Sequence, residues 1–533
     1  MTRKPRVVLY NPQNAATPKP VIPMSLLALG AVLDGVPGDP MPTSSAGLAP
    51  TTSADLAPTT SVADWVLVDG NLESDPLGAV DRAVRETEAD ILGITVMPGP
   101  QLKQAVPHTR TLKARHPRLQ VVWGGYFPTQ HWDVALRSGY VDWIVRGHGE
   151  LVFAEFLRRW ASGDDVADLP GLAYCRHHMQ SVPGDAPTEQ GEPVSNPMAP
   201  IPHPDKLPDF PYQRIDLSRY VRQTVLGRRT LSHHSSYGCP FFCNFCAVVN
   251  MVNGGWRAQS AERTAAIAHF YAQQAGIDAL EFFDNNFFVH QARTREFAER
   301  IRDLGIAWWG EGRIDTLLKY DDRTWQLMAD AGLKMIFMGA ESGSDETLRR
   351  MSKGGKMSTD KTLEIAEHMR RYRIVPEFSF VLGNPPDPEA DVAGTIEFIK
   401  KLKKVNPQSE IIMYMYTPVP LAGELYEQAK AEGFAFPDTL EGWCDPDWEE
   451  FSQRRSTTMP WIKDDLRRHV RNFERVLNAY YPTSTNPDLR GLKTSILRAA
   501  SGWRWATGRY EYPLELRALH RLFAYQRPET TGF

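Results

Sequence analysis

The chain lacks a membrane-spanning segment, the apolar core of a signal peptide and a positive net charge. Its 533 residues contain no apolar run of about 18 residues, so no membrane-spanning segment is predicted. Its formal net charge is −4, which predicts no broad attraction to nucleic acid. The basic N-terminus, residues 1–6, leads directly into a strand-like run and not into the apolar core of a signal peptide. We therefore expect a cytoplasmic protein.

Cysteine is also scarce, and its distribution is uneven. The chain has only 5 cysteines, too few for a disulfide scaffold of this length. Cys239, Cys243 and Cys246 form a C-x3-C-x2-C motif, with Phe245 directly before the last cysteine. Cys175 and Cys444 stand alone, and we expect both to be ordinary buried cysteines. Metal chemistry is therefore expected at one place in the chain.

The three-cysteine motif predicts a metal centre that is short of one ligand. Soft thiolates at this spacing suit zinc or an iron–sulfur cluster. A structural zinc site needs four ligands, so it would have to recruit His233 or His234. A [4Fe–4S] cluster normally has four thiolate ligands, so three would leave one iron open to another molecule. A redox disulfide or chance spacing is the remaining alternative.

The motif resembles that of the radical S-adenosylmethionine (SAM) superfamily. The resemblance implies that Cys239, Cys243 and Cys246 hold a [4Fe–4S] cluster. It also implies that the open iron binds SAM through its amino and carboxylate groups. An electron from the cluster would then cleave SAM to a 5′-deoxyadenosyl radical.

Residues 1–150 alternate short apolar runs with helical stretches, which predicts a doubly wound parallel sheet. The predicted strands are residues 7–10, 65–68, 91–96, 121–123 and 143–145. Residues 37–62 are rich in Pro, Ser and Thr and contain a near repeat of one eight-residue segment. We interpret them as a mobile loop insertion without a catalytic role.

This first domain resembles the Rossmann-like cobalamin-binding domain of cobalamin-dependent radical SAM enzymes. Gly124-Gly125 after the fourth strand, and residues 146–150 after the fifth, carry the resemblance. The cobalamin-binding residues that it implies are Asn71, Thr95, Gly124, Gly125, Tyr126, Gly147 and Glu150. The Asp-x-His-x-x-Gly loop of classical cobalamin methyltransferases is absent, so we expect base-off cobalamin without a histidine on cobalt. The alternative is a flavodoxin-like domain that binds another nucleotide or no ligand.

After a linker at residues 151–227, a second alternating pattern occupies residues 228–425. Its six strand–helix units match the partial (β/α)6 barrel of radical SAM enzymes, with the chemistry expected at the carboxyl ends of the strands. Residues 426–533 are predicted to form a helical C-terminal domain. Within it, residues 498–509 are basic and aromatic, and they are a candidate contact for a membrane surface or a partner.

The polar groups of SAM suggest roles for residues that follow the barrel strands. We expect Asp284 and Asn285 to meet the ammonium group, Arg313 the carboxylate, and Phe245 the adenine. The ribose hydroxyls are assigned to Glu341, Ser342 and Gly343. Alternatively, Arg313 and Asp315 form a structural ion pair. We expect Lys353 and Lys356 to be solvated surface charges, and Tyr414 and Tyr416 to be candidates on the substrate side.

The layout is similar to that of cobalamin-dependent radical SAM methylases and of the anaerobic magnesium-protoporphyrin ester cyclase. The resemblance implies a methyltransferase that acts on an unactivated carbon, or on phosphorus, of a small-molecule biosynthetic intermediate. Its cofactors would be the cluster, SAM and methylcobalamin, and a flavodoxin or ferredoxin would supply electrons. One alternative is an oxidative cyclase or ring-rearranging enzyme that transfers no methyl group. The other is a non-catalytic regulator that binds cobalamin or a metal.

The cysteine pattern makes a direct prediction. We expect Cys243→Ala to abolish the [4Fe–4S] absorption spectrum and SAM cleavage together, because three thiolates act as one ligand set. The matched controls, Cys175→Ala and Cys444→Ala, should leave both intact. SAM cleavage by the Cys243→Ala protein at the wild-type rate would contradict the cluster assignment.

Overall fold

The computed structural model describes residues 3–15, 20–35, 61–176, 191–252, 254–353, 357–420, 423–452, 454, 459–482, 489 and 491–523. Residues 37–60 of the predicted insertion, and Lys356, lie outside the described residues.

The N-terminal part of the chain forms a mainly parallel sheet covered by helices. Its strands are β1 (Arg6–Asn11), β2 (Asp64–Asp69), β3 (Ile91–Thr95), β4 (Gln120–Gly124), β5 (Trp143–Val145), β6 (Leu172–Cys175) and β7 (Pro193–Ser195). Its helices are α1 (Met24–Asp34), α2 (Pro76–Thr87), α3 (Pro100–Arg115), α4 (Tyr126–Gln130), α5 (Trp132–Arg137) and α6 (Glu150–Ser162).

The strand order β2-β1-β3-β4-β5-β6-β7 confirms the doubly wound prediction for the first five strands. Their neighbours are parallel, and β1 is buried along nearly all its length, as a strand covered on both faces should be. Strands β6 and β7 extend the sheet in antiparallel fashion, which the sequence did not predict. The order reverses between β1 and β3, and this places a ligand crevice at the carboxyl ends of the strands.

A second sheet forms the barrel. Its strands, with the short flanking pair β9 and β10, are β8 (Thr230–His233), β9 (Ser236–Gly238), β10 (Trp256–Ala258), β11 (Ala279–Phe282), β12 (Ala307–Gly312), β13 (Leu333–Glu341), β14 (Val375–Leu382) and β15 (Glu410–Met415). Its helices are α7 (Val248–Val252), α8 (Ala261–Ala275), α9 (Gln291–Ile301), α10 (Ile314–Leu317), α11 (Asp322–Asp330), α12 (Asp345–Arg350), α13 (Thr359–Arg371), α14 (Pro388–Val405) and α15 (Glu424–Ala431).

The barrel is open, as predicted. Its sheet runs β15-β14-β13-β12-β11-β8, with parallel neighbours, and within the described ranges β8 and β15 are not paired with each other. Each outer strand instead meets one piece of non-strand backbone. Thr230 of β8 bridges to Arg222, and the Met415 amide of β15 donates to the Arg454 carbonyl at 3.1 Å.

Alternation along β12 separates the outer core from the barrel interior. Trp308 packs against Phe282 and Phe297, beneath the helices. Trp309 points the other way, and its indole nitrogen donates to Glu377 of β14 at 2.9 Å. A period of two then directs Glu311 and Arg313 to the interior as well.

The C-terminal region is helical, as predicted. Its helices are α16 (Leu440–Trp443), α17 (Pro446–Ser452), α18 (Asp464–Tyr480), α19 (Leu492–Thr507) and α20 (Leu514–Leu522). The apolar stripe of α18 is buried, as expected for a core-facing helix. Among the described residues, none of the helices combines the length and the hydropathy that crossing a membrane requires.

An aromatic cluster joins the C-terminal region to the first domain. Trp443 of α16 packs edge-on against Phe127 of α4 at 5.2 Å between ring centroids, and it also contacts His131 and Trp448. Burial among these rings lowers the pKa of His131 to about 4. The tail tryptophans Trp443 and Trp448 therefore pack between domains. The domain boundaries given above remain predictions.

Candidate active site

The three cysteines lie on one loop, between β9 and α7. Gly238 ends β9 with φ of +77°, and a Cβ at this position would clash with the carbonyl oxygen of Gly255. Only glycine accepts both the left-handed backbone and the close approach. The antiparallel pairing of β9 with β10 brings the start of the cysteine loop next to the segment that follows α7.

The thiols are crowded in a poorly solvated place. Burial raises the pKa of Cys239, and it raises that of Cys246 to about 12; the neighbouring Cys243 sulfur adds to both shifts. Arg313 Nη1 lies 3.3 Å from Cys243 Sγ, and Asn286 Nδ2 lies 3.8 Å from Cys239 Sγ. A bound cationic iron centre would remove the resistance of these thiols to ionisation. Because nitrogen donors already face two of the sulfurs, the loop fits a thiolate-ligated iron–sulfur cluster.

The zinc alternative is not supported by the local geometry. His233 is fully buried on the outer side of the barrel, where its Nε2 pairs with Gln259 Oε1 at 2.9 Å. Across the described ranges, no three His, Cys, Asp or Glu side chains converge on a single metal ion. Three cysteines without a fourth ligand fit a cluster, which distributes its ligands over several iron atoms.

The Asp284 carboxylate, which was expected to meet the SAM ammonium group, has partners within the protein. It accepts from the Ser235 amide at 3.0 Å, from the Ser235 hydroxyl at 2.7 Å and from the Ser236 hydroxyl. The side chain is fully buried, so it anchors the base of the cysteine loop instead of presenting its oxygens to the SAM ammonium. Asn285 is exposed at the same strand end, and its expected contact with SAM stays a prediction.

Arg313 forms the structural ion pair that was held open as an alternative. Its Nε and Nη2 donate to the two carboxylate oxygens of Asp315 at 3.0 and 3.2 Å. Nη2 also donates to the Lys353 carbonyl at 3.2 Å, and the guanidinium lies 3.8 Å from the ring centroid of Phe241. The remaining nitrogen faces Cys243, so Arg313 is poised to stabilise negative charge on the cluster sulfurs.

Lys353 is not a surface charge, which corrects the sequence-based expectation. Its side chain is 5% exposed and forms an ion pair with Glu341. The Lys353 ammonium also lies 5.9 Å from the ring centroid of Phe245. Glu341 itself has φ of +66°, an unusual conformation for a non-glycine residue and one that is often found at functional sites. Glu341, Lys353 and Phe245 therefore form one group beside the cysteine loop.

Ser342 and Gly343 lie behind this group. Ser342 is fully buried, and the Gly343 amide donates to Thr395 Oγ1 of α14 at 3.1 Å. These contacts hold the end of β13 against the outer helix. The expected contacts of Glu341, Ser342 and Gly343 with the SAM ribose stay predictions.

Four of the expected cobalamin residues lie together at the ends of β3 and β4: Thr95, Gly124, Gly125 and Tyr126. Gly125 has φ of +97°, and a Cβ there would come within 3.0 Å of Thr95 Oγ1 and 3.2 Å of the Val96 nitrogen. Within the described residues, the Thr95 hydroxyl makes no hydrogen bond. Burial raises the pKa of Tyr126 to about 12. The glycine-lined ends of β3 and β4, with the unpaired Thr95 hydroxyl, fit a bulky cofactor. We call these four residues the cradle.

The other expected cobalamin residues have different surroundings. Asn71 is buried in a network in which its Nδ2 donates to Asp69 Oδ1 at 2.9 Å and its Oδ1 accepts from the Asn14 amide at 2.9 Å. Gly147 and Glu150 follow β5. Burial and the adjacent Glu150 raise the pKa of Tyr237, which lies in the strand before the cysteine loop. Asn71 and Glu150 therefore already contact other residues of the protein, and their contact with cobalamin stays a prediction.

The two tyrosines proposed for the substrate side, Tyr414 and Tyr416, differ in burial and in their contacts. Tyr414 is half-buried, and the Arg454 guanidinium lies 4.8 Å from its ring centroid. Tyr416 is fully buried and packs against Trp461 at 6.1 Å between ring centroids. Tyr416 therefore lies at the contact between barrel and tail, and its role on the substrate side stays a prediction.

The sequence reasoning missed Glu311 and Arg454. Burial and nearby Asp284 raise the pKa of Glu311 to about 8, while Arg454 opposes the rise. The pKa of Arg454 is raised overall. Burial lowers it, but the nearby Tyr414, Tyr126, Cys246 and Glu341 side chains together raise it by more. Neither side chain has a hydrogen-bond or ion-pair partner in the described ranges. The alternation in β12 could have identified Glu311, whereas Arg454 reaches the site only through the path of the tail.

Comparison with known proteins identifies both halves of the site. The family model described as "B12 binding domain" matches residues 62–157, and that of the "Radical SAM superfamily" matches residues 234–399. The chain therefore carries a B12-binding domain followed by a radical SAM domain, the combination found in cobalamin-dependent radical SAM enzymes. A [4Fe–4S] cluster, SAM and cobalamin are accordingly its cofactors, and the cysteine loop and the cradle fit them.

The individual relatives of this radical SAM enzyme are distant. An uncharacterized methyltransferase of Pyrococcus horikoshii is 25% identical over 343 residues, covering 64% of this chain and 70% of the relative. The anaerobic magnesium-protoporphyrin IX monomethyl ester cyclase of Synechocystis is 26% identical over 310 residues, 58% of each chain. The solved structure of the methyltransferase TsrM from Kitasatospora setae, with cobalamin and a [4Fe–4S] cluster bound, has a TM-score of 0.58 at 17% identity, covering 81% of this chain and 79% of that one.

The buried Glu341–Lys353 pair predicts separable effects on stability and on binding. Lys353→Met leaves Glu341 as an uncompensated buried charge, so we expect a loss of about 3–5 kcal/mol in the free energy of unfolding. The double variant Glu341→Gln/Lys353→Met should recover most of it. If Glu341 accepts from SAM, both Glu341→Gln and the double variant should bind SAM roughly tenfold to hundredfold more weakly.

Denaturant unfolding, SAM titration and iron counting on the same samples test this. Iron content should be unchanged, because neither residue is a cluster ligand. If the double variant binds SAM with wild-type affinity, Glu341 does not contact the ribose.

The raised pKa of Glu311 predicts a pH-dependent stability. Between the ordinary glutamate pKa and about 8, the unfolded chain carries an ionised Glu311 and the folded chain a protonated one. The free energy of unfolding therefore falls as pH rises through this window. Since Glu311→Gln cannot ionise, we expect its melting temperature, relative to wild type, to increase steadily from about pH 5 to about pH 8 in the cofactor-free protein.

The matched control is Glu346→Gln, on an exposed surface of α12. A difference between the Glu311→Gln protein and wild type that does not change with pH would show that Glu311 is ionised in the folded chain.

Proposed function

We propose that this enzyme transfers a methyl group from SAM, by way of methylcobalamin, to an unactivated carbon, or to phosphorus, of a small-molecule biosynthetic intermediate. One observation carries the proposal: the cradle and the cysteine loop are joined at a shared boundary. Gln130 of α4 accepts a hydrogen bond from Asn250 of α7 at 3.1 Å. The sulfur of Cys246 also contributes to the raised pKa of Tyr126. These two contacts support the proposal that the two cofactor sites serve one substrate.

The residues divide the work between the two sites. When bound, the cluster with SAM supplies a radical that can remove hydrogen from an unactivated position, and cobalamin supplies the methyl group. Cys239, Cys243 and Cys246 would hold the iron, and Arg313 would balance the negative charge of the sulfurs. Glu341, which forms an ion pair with Lys353, would accept from the ribose hydroxyls.

We call the barrel interior beside the cysteine loop, where Glu311, Tyr414 and Arg454 lie, the chamber, and its residues suggest which substrates it could bind. Arg454 brings a cation that has no ion-pair partner among the described residues, and Tyr414 lies beneath it. Glu311 is largely protonated at neutral pH, because its pKa is raised to about 8, and it can therefore donate a hydrogen bond. We infer a polar substrate with an anionic group, held by Arg454, and a hydrogen-bond acceptor near Glu311.

One rival reaction has a specific observation behind it. The cyclase relative is as similar to this chain as the methyltransferase relatives are, at 26% identity. A cyclase of this kind would cleave SAM and oxidise its substrate without adding the methyl group. A non-catalytic regulator would not cleave SAM at all. In either catalytic case we propose a small electron-transfer protein of the flavodoxin or ferredoxin type as the reductant.

The test uses SAM with a deuterated methyl group, a chemical reductant and the reconstituted enzyme. We expect the label in the methyl group of protein-bound cobalamin, and then in a product heavier by one labelled methyl group. Gly125→Ala should still cleave SAM but lose cobalamin and the label, since the added Cβ would lie 3.0 Å from Thr95 Oγ1 and strain a left-handed backbone.

Gly163→Ala is the matched control. Gly163 also has a positive φ, of +75°, but a Cβ there would meet nothing within 4 Å. Gly163 is in the αL region, with ψ of 18°, so its substitution costs less backbone strain than that of Gly125, whose ψ is −163°. Only Gly125 lies in the cradle. Equal cobalamin content in the two variants would refute the cradle assignment, and unlabelled product from wild type would favour the cyclase.

A further inference from the structure

The last two helices leave an apolar face uncovered. Helix α19 buries Leu497 and Trp505, while Leu492, Ile496, Ala499, Trp503 and Ala506 stay exposed. These five residues recur at intervals of three and four, so they lie on one side of the helix. Leu492 is 77% exposed, far more than a core residue of a folded domain would be.

Helix α20 extends the same kind of surface. Leu516 is its buried residue, whereas Leu514, Ala518 and Leu522 are exposed at intervals of four. Tyr512, directly before the helix, is 72% exposed, and Leu522 is 75% exposed. Single exposed apolar residues are ordinary, but two adjoining stripes with a Trp and a Tyr are not. We call the exposed residues of α19 and α20 the tail face.

Cations surround the tail face. Residues 491–523 contain six Lys and Arg residues and two Glu residues, a formal charge of +4 in a chain whose net charge is −4. Lys493, Arg498, Arg509, Arg517 and Arg521 are exposed. Glu515, one of the two acids, is already paired with Arg504. The positive charge is therefore available to an outside partner.

The composition discriminates among possible occupants. A second copy of this chain would bring one cation-rich face against another, which like-charge repulsion opposes. An anionic lipid surface satisfies both features at once, because leucines enter the acyl boundary, Trp and Tyr favour the membrane interface, and cations meet the headgroups. We propose that the tail face binds this enzyme peripherally to an anionic membrane. The inference does not depend on the methyl-transfer proposal.

The test is co-sedimentation of the cofactor-loaded enzyme with vesicles. We expect binding to vesicles of phosphatidylcholine with phosphatidylglycerol, and little binding to phosphatidylcholine alone. Raising the salt concentration should weaken binding. Arg498→Glu/Arg517→Glu should reduce the partition coefficient by roughly tenfold or more, and Trp503→Ser/Leu514→Ser should reduce it independently of salt.

Arg82→Glu/Arg118→Glu is the matched control, since both arginines are exposed in the first domain. It should bind vesicles like wild type. Unchanged iron and cobalamin contents would show that every variant is folded. Wild-type protein that stays in the supernatant, or charge reversal without effect, would overturn the proposal. So would concentration-dependent dimerisation that Trp503→Ser/Leu514→Ser abolishes without any vesicle binding, because the occupant would then be a second copy.

Discussion

The arrangement of the barrel depends on keeping several negative charges in a chamber that is poor in water. Three thiols on one loop, Glu341 and Glu311 all lie there, and burial opposes the ionisation of the Cys239, Cys246 and Glu311 side chains. Isolated buried charges are costly, so each must be paired, neutralised or joined to a metal. The chain uses all three means. Lys353 pairs with Glu341, the raised pKa of Glu311 favours its protonated form, and the three thiols are the expected ligands of iron. Arg313 and Arg454 supply the remaining positive charge.

This constraint explains why the domains are closely connected. Tyr237 precedes the cysteine loop and touches His148 of the first domain, with 4.4 Å between ring centroids. Asn250 follows the loop and reaches Gln130, which lies on the helix that starts at the cradle. Trp443 adds an apolar contact from the tail. Polar contacts fix the two cofactor sites relative to each other, and aromatic packing supplies much of the buried surface.

Sequence periodicity predicts the two parallel sheets, but neither the antiparallel strands β6 and β7 nor the partners of individual side chains. The strands were predictable because buried apolar runs alternate with helices, and the cysteine loop because its spacing has few other uses. The partners of Asp284 could not be predicted, because Ser235 and Ser236 lie 49 and 48 residues away along the chain. Lys353 was read as solvated because its type usually is, whereas the fold brings Glu341 to it. Arg454 had no local signal, since only the return of the tail carries it to the chamber.

The open barrel also bears on how the protein avoids self-association. A sheet that does not close presents unpaired amide and carbonyl groups at its first and last strands, and these are templates for pairing with another molecule. Here Arg222 occupies the free side of β8, and Arg454 occupies that of β15. The backbone of Arg454 therefore shields the β15 edge of the sheet, while its guanidinium enters the chamber. A chain shortened before Arg454 would lose this protection along with the cation, and strand-to-strand aggregation would compete with folding.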